Sequence, residues 1–337
     1  MTNNDLKPMT VIDGHVDYAT DILIRRDLGE RNVFDTRHAN ILRQAGVKLQ
    51  VAAIYIQAQD KPHLVVDLCI RQMEALLEDI EESTNFILIK DKKDLEQLFN
   101  SEKIGILIDL EGAEVFEHGM GFFHLFHRLG MRMLGLTWNQ RNGLASGIDD
   151  IGSGSGLTSF GKDVVEEAFR TGVIPDVSHL SPRGVDDILS LAKGPIVASH
   201  AGVKSVFDCS RNLSDEHVKG IASTGGVIGI PAFPTLIASE NASVDTVVDH
   251  IERVVELVGE DFIGVGTDFV NIFHDLIAKG LMGKEWVPPS GKKTEGFEGC
   301  QDFPNLVRAL ARRGFSSNQI SKIMGLNFLR VFEGSLR

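Results

Sequence analysis

The sequence predicts an α/β protein of the (β/α)8 TIM-barrel class, with residues 1–337 forming one domain. Three observations predict it. Eight short apolar runs of strand length recur along the chain, segments of helical spacing separate them, and metal-capable residues gather at the run ends. Continuous apolar runs suit parallel strands buried on both faces. Strands alternating with helices give a closed barrel or, as the second choice, a doubly wound open sheet. The count of eight and the polar run ends favour the barrel.

The runs are TVIDGHVD (10–17), VKLQVAAIYI (47–56), KIGILIDLEG (103–112), GMRMLGLTWN (130–139), GVIPDVSHLS (172–181), GPIVASHAG (194–202), GGVIGIPAF (225–233) and DFIGVGTDF (261–269). Most are too short and too rich in Val and Ile for independent helices. Between them, TRHANILRQAG (36–46) has helical apolar spacing and ends in glycine, a usual C-terminal stop. SFGKDVVEEAFRTG (159–172) opens on a serine read as its cap and also ends in glycine. SPRGVDDILSLAKG (181–194) begins Ser-Pro, the favoured order for a helix N-terminus. SVDTVVDHIERVVELVG (243–259) is amphipathic. The stretch 271–301, rich in Gly, Lys and Pro in its later part, reads as a long loop or lid over the barrel mouth. SSNQISKIMGLNFLRVFEG (316–334) reads as one or two closing helices.

Composition narrows the function. Hydrophobic residues make up 43% and charged residues 24%, enough apolar material for a large core. A net charge of −13 argues against nucleic acid and anionic membranes as partners, since both need a basic face. It leaves a small-molecule substrate open, because a metal ion can reverse the field of a site. Cys69, Cys209 and Cys300 form no CxxC pair, which disfavours a thiolate zinc site and a disulfide framework. With no signal-peptide pattern at MTNNDLKPMT, the expected setting is cytoplasmic.

The ends of five runs carry the chemistry. The first ends in His15 and Asp17, two residues apart and therefore on one face of a strand. The third offers Asp109 and Glu111, the fifth Asp176 and His179, the sixth His200, and the eighth Asp268. A single strand-end histidine or aspartate most often bonds a loop or caps the next helix. Five such ends converging on one barrel mouth point instead to a metal site. His38, His124, His127, His217 and His250 lie in helical or polar segments and read as solvated. Imidazole and carboxylate without thiolate suit Zn²⁺, with Mn²⁺ or Co²⁺ as alternatives, and the donors suffice for two ions. Two ions a few ångströms apart activate water and polarise a carbonyl, while a further carboxylate can carry the proton.

The ordered set DGHVD, DLEG, DVSH, SHAG, SRN and GTDF resembles the membrane dipeptidase (renal dipeptidase) family of zinc peptidases, within the amidohydrolase-like barrels. The similarity runs from VIDGHVD to LNFLRVFEG and is strongest over 157–215. It implies that His15 and Asp17 hold one zinc, Glu111 bridges two, and His179 and His200 hold the second. It further implies a metal-bridging hydroxide as nucleophile, Asp268 as the catalytic proton shuttle, and Arg211 as partner of the substrate's terminal carboxylate. A loop-ordering salt bridge is the other reading of Arg211. The resemblance also implies tolerance of a D-residue at the second position and a homodimer.

Two positions depart from the family pattern. LTWN places Trp138 where many members carry a histidine thought to contact the scissile peptide. Indole donates one hydrogen bond but accepts none; if the histidine steadies an oxyanion, losing such a donor costs about 2.7–4 kcal/mol in kcat. IPAF places Phe233 where a tyrosine is expected. The expectation is a zinc-dependent dipeptidase with Trp138 and Phe233 beside the substrate. The alternatives are hydrolysis of another amide or a lactone, and a non-catalytic metal-binding paralogue.

Overall fold

Nine parallel strands organise the chain in a computed structural model that describes residues 10–56, 62–282 and 292–337. They are β1 (Val11–Val16), β2 (Val47–Tyr55), β3 (Phe86–Leu88), β4 (Ile104–Glu111), β5 (Met131–Gly135), β6 (Ile174–Asp176), β7 (Val197–Ala198), β8 (Val227–Ile230) and β9 (Ile263–Val265). Pairing runs from β1 to β2, then β2 to β4, onward through β9, and from β9 back to β1. Eight strands therefore close a parallel barrel, and each lies inside one of the eight apolar runs. The open sheet is excluded.

The ninth strand, β3, is the one the apolar runs do not anticipate. It pairs with β4 only at Ile104–Ile106, on the edge that β5 takes over from Ile108 onward. Three residues are too few to carry a periodicity signal.

Two apolar layers sandwich the strands. An inner cluster of Ile12, Leu49, Val51, Leu107, Met133, Ile174, Val197 and Val227 fills the barrel. Phe328, Val331 and Phe332, from the helix Asn327–Ser335, belong to the same cluster, so the C-terminal helix plugs the barrel floor. This fit explains the glycine of the DGH motif. A Cβ on Gly14 would lie 2.6 Å from the Phe328 ring, closer than any real contact.

Several helices begin where a side chain satisfies one of their first N–H groups. Ser181 accepts from Gly184 N–H ahead of Pro182–Leu191, and Ser243 caps Val244–Val258 before Gly259. For Ser159–Thr171 the cap is Thr158, whose hydroxyl accepts from Gly161 N–H, and Ser159 is the first helical residue. The stretch read as a lid is more structured than a loop, carrying short helical turns at Asn271–Phe273, His274–Ala278 and Cys300–Asp302. Residues 283–291 of it lie outside the described residues. Thr294 is buried and donates to the Ala232 carbonyl, which ties the later part beside the barrel rim.

Two histidines expected in solvent are core residues. His38 is 6% exposed and bonded to Asp21 at 2.8 Å. His250 is fully buried, accepting from Val203 N–H and donating to the Ile237 carbonyl. Among the described residues, no helix is long and apolar enough to cross a membrane.

Candidate metal centre

The C-terminal ends of the barrel strands open into one cavity of about 390 Å³. Its lining includes Asp17, Glu111, His179, His200, Arg211 and Asp268, with Trp138 and Phe233 among the apolar walls. His15 lies just beneath, 1% exposed, with its Nε2 3.7 Å from Glu111. The structure thus brings His15, Asp17, Glu111, His179, His200, Arg211 and Asp268 together, while Asp109 and Asp176 do not line the cavity.

Glu111 is the meeting point. Its Oε1 lies 2.8 Å from His179 Nε2 and 3.4 Å from His200 Nε2, and the two Nε2 atoms are 2.9 Å apart. The far sides of both rings fix which nitrogen carries the proton. His179 Nδ1–H donates to Asn139 Oδ1 at 2.6 Å. Ser199 donates its hydroxyl to Asp176, so its oxygen accepts from His200 Nδ1–H at 2.8 Å. Both Nε2 atoms therefore present lone pairs to each other and to a carboxylate oxygen. Three converging lone pairs repel unless a cation sits among them. This donor chemistry fits a metal ion.

A second convergence lies alongside. Ligand atoms of His15, Asp17 and Asp268 lie within 4.8 Å of one another, as do those of His15, Glu111 and His200. Asp17 Oδ1 and His15 Nδ1 are buried without a hydrogen-bond partner. Burial, reinforced by the neighbouring Asp17, pushes the carboxyls of Glu111 and Asp268 well above the usual range. Burial also holds His179 and His200 well below theirs, with the Arg211 and His15 charges adding to it. Such a set of buried carboxylates and imidazoles is stabilised by divalent cations.

Backbone geometry sets these side chains in place. Asp13 accepts from the backbone N–H of both His15 and Thr267, and from the Thr267 hydroxyl, joining β1 to the residues after β9. Asp176 does the same between β6 and β7, accepting from Ser178 and Ser199 N–H. His179 (φ 68°) and Asp268 (φ 52°) both sit in the left-handed region, a costly conformation for non-glycine residues that clusters at functional sites.

Arg211 points its guanidinium into the cavity and makes one hydrogen bond, to the His200 carbonyl at 3.2 Å. No carboxylate pairs with it among the described residues. Trp138 packs 5.8 Å from the His179 ring and 5.1 Å from Tyr55, centroid to centroid. Phe233 lines the same cavity, as do Leu236 and Val270. Asn139 and Ser199, which orient the two histidines, were not singled out from the sequence. Both sit beside marked residues, in LTWN and ASHAG, but nothing in one sequence shows what they touch.

Comparison with known proteins agrees with this geometry. The family model described as membrane dipeptidase (Peptidase family M19) matches residues 3–335. Mouse Dipeptidase 3 is 27% identical over 342 residues, covering 97% of this chain and 64% of its own length. Dipeptidase verJ of Clonostachys rogersoniana is 27% identical over 348 residues, covering 97% of this chain and 84% of its own. A metallo peptidase from Rhodobacter sphaeroides, solved with a phosphinate mimic of the dipeptide L-Ala-D-Ala, superposes with a TM-score of 0.81 at 21% identity, covering 97% of this chain and 99% of that one. At that identity the match establishes the shared barrel. Family match, fold and site together place the chain in the membrane dipeptidase family, peptidase family M19.

Proposed function

We propose that this protein is a zinc-dependent dipeptidase with a two-ion centre. The observation that carries the reading is the convergence of His179, His200 and His15 on Glu111, with both outer histidines' tautomers fixed to leave Nε2 bare. His15, Asp17 and Glu111 would hold one ion, and Glu111, His179 and His200 the other. Bound there, the ions lower the pKa of water and polarise the substrate carbonyl.

The chain's own groups do the rest. Arg211, which pairs with no carboxylate among the described residues, offers a guanidinium fork matched to a substrate carboxylate, and so restricts the reaction to peptides ending one residue beyond the scissile bond. Asp268 takes the proton as water adds to the carbonyl carbon, then returns it to the leaving nitrogen as the C–N bond breaks. Its place in the cavity wall, beside the ligand atoms of His15 and Asp17, suits that shuttle. Trp138, Tyr55 and Phe233 supply apolar walls that favour uncharged side chains. The dipeptide mimic bound by the Rhodobacter sphaeroides relative supports the substrate class and a D-residue at the second position.

The test compares a free dipeptide with its C-terminal amide on zinc-loaded protein. Cleavage confined to the free acid supports the reading. Equal cleavage of both removes the carboxylate clamp, and with it the dipeptidase assignment.

A further inference from the structure

Asp109 has no role in the scheme above, yet it is among the most deeply placed charged residues in the molecule. It follows Leu107 and precedes Glu111 on β4, so all three share the strand face that looks into the barrel. It is 0% exposed, and among the described residues neither carboxylate oxygen has a hydrogen bond of good geometry, the adjacent Leu110 N–H engaging it only weakly. Buried polar groups without a partner are rare, and each asks for an explanation. Asp109 belongs to neither group of converging ligand atoms, so it is not placed to hold an ion.

The neighbouring orphan is His15. Its Nδ1 is also buried without a partner, and it lies 4.0 Å from Asp109 Oδ2. The other two histidines of the centre each have an acceptor at Nδ1, Asn139 for His179 and Ser199 for His200. Only His15 lacks one. The carboxylate beside that nitrogen is Asp109, both of whose oxygens are buried without a well-formed hydrogen bond among the described residues.

We propose that Asp109 is a positioning residue that takes the Nδ1–H of His15 when the centre is loaded, holding the ring with Nε2 toward the metal. The gap must shorten by roughly 1 Å to reach hydrogen-bond length. The contact completes the same outer support that Asn139 and Ser199 give their histidines. Such partners typically change metal affinity 10–100-fold. The inference rests on the metal-dependent reading of the site.

Two variants test it, with zinc affinity read by chelator competition. Asp109→Leu removes the acceptor at similar size, and Asp109→Asn keeps one. The Leu variant is expected to bind zinc 10–100-fold more weakly, while the Asn variant stays within a few-fold of wild type. The metal-free Leu variant is expected to melt higher than wild type, because it no longer buries an unpartnered carboxylate. A purely structural role would move melting temperature and zinc affinity in the same direction. A downfield imidazole N–H resonance of His15 is expected in zinc-loaded wild type and Asn protein and absent from Leu protein. Wild-type zinc affinity in the Leu variant, or equal loss in both variants, overturns the proposal. Wild-type protein that binds no zinc overturns the metal reading itself.

Discussion

The backbone N–H of Asp268 donates to the His15 carbonyl at 3.0 Å, fastening the end of β9 to the end of β1. One strand junction thus sets both a metal-facing imidazole and the carboxylate proposed to move the proton. Asp13 reinforces it by bonding Thr267 and His15 together. The left-handed backbone at Asp268 is held by these neighbours, which places its carboxyl beside Asp17.

Replacing Asp268 by Asn keeps the shape and removes the proton acceptor. Turnover of a dipeptide should fall by about 10²–10⁴-fold, the usual worth of positioned acid–base catalysis. Bound zinc, measured by metal analysis after gel filtration, should stay unchanged. Near-normal turnover would take Asp268 out of the mechanism, and loss of zinc would make it a ligand.

Arg211 should act on binding. Arg211→Met removes two charge-assisted hydrogen bonds to the substrate carboxylate, worth about 3 kcal/mol or more, so kcat/KM should fall at least about a hundredfold. Most of the loss should appear in KM, and Arg211→Lys should recover part of it. Steady-state kinetics on one dipeptide check this. A variant that keeps the wild-type KM would contradict it.

Trp138 lines both the main cavity and a neighbouring one of about 230 Å³ that also borders Glu114 and Gln140. Trp138→Ala should therefore enlarge the substrate space. The ratio of kcat/KM for a bulky over a small dipeptide should rise by about tenfold, within the ~1–3 kcal/mol of a pocket contact. An unchanged ratio would mean that the indole does not limit substrate size.

Much of this was legible in the chain because barrel geometry concentrates chemistry at strand ends. His15, Glu111, His179, His200 and Asp268 each close an apolar run, so one fold assumption collects them. The roles of Asn139, Ser199 and Asp109 were not legible. Asn139 and Asp109 meet their histidines across separate strands, and Ser199 accepts from its neighbour His200 because Asp176 on another strand takes its proton; single-sequence patterns carry no such distances. The burial of His38 and His250 was hidden for a related reason. Both occupy polar-looking helical stretches, but Asp21 in one case, and Val203 and the Ile237 carbonyl in the other, satisfy them inside the core.

A pH effect on stability should come from Glu114. Burial raises its carboxyl from 4.5 to about 6, against weaker opposing hydrogen bonds from its own backbone and Asn142. The folded chain holds this proton more tightly than the unfolded one. The resulting stabilisation is complete below 4.5 and is lost as pH rises through 6. Glu114→Gln should thus be neutral near pH 4 and stabilising at pH 8, by up to about 2 kcal/mol. Urea melts at both pH values check it; equal effects at the two would contradict it.

The central claim is metal-dependent dipeptide cleavage at the Glu111 centre. The most direct measurement is release of free amino acids from a panel of L,L and L,D dipeptides by zinc-loaded protein, before and after chelation. Release should stop on chelation and return with added zinc. Zinc-bound protein that leaves every dipeptide intact would contradict it, and would turn the search toward another amide or a lactone.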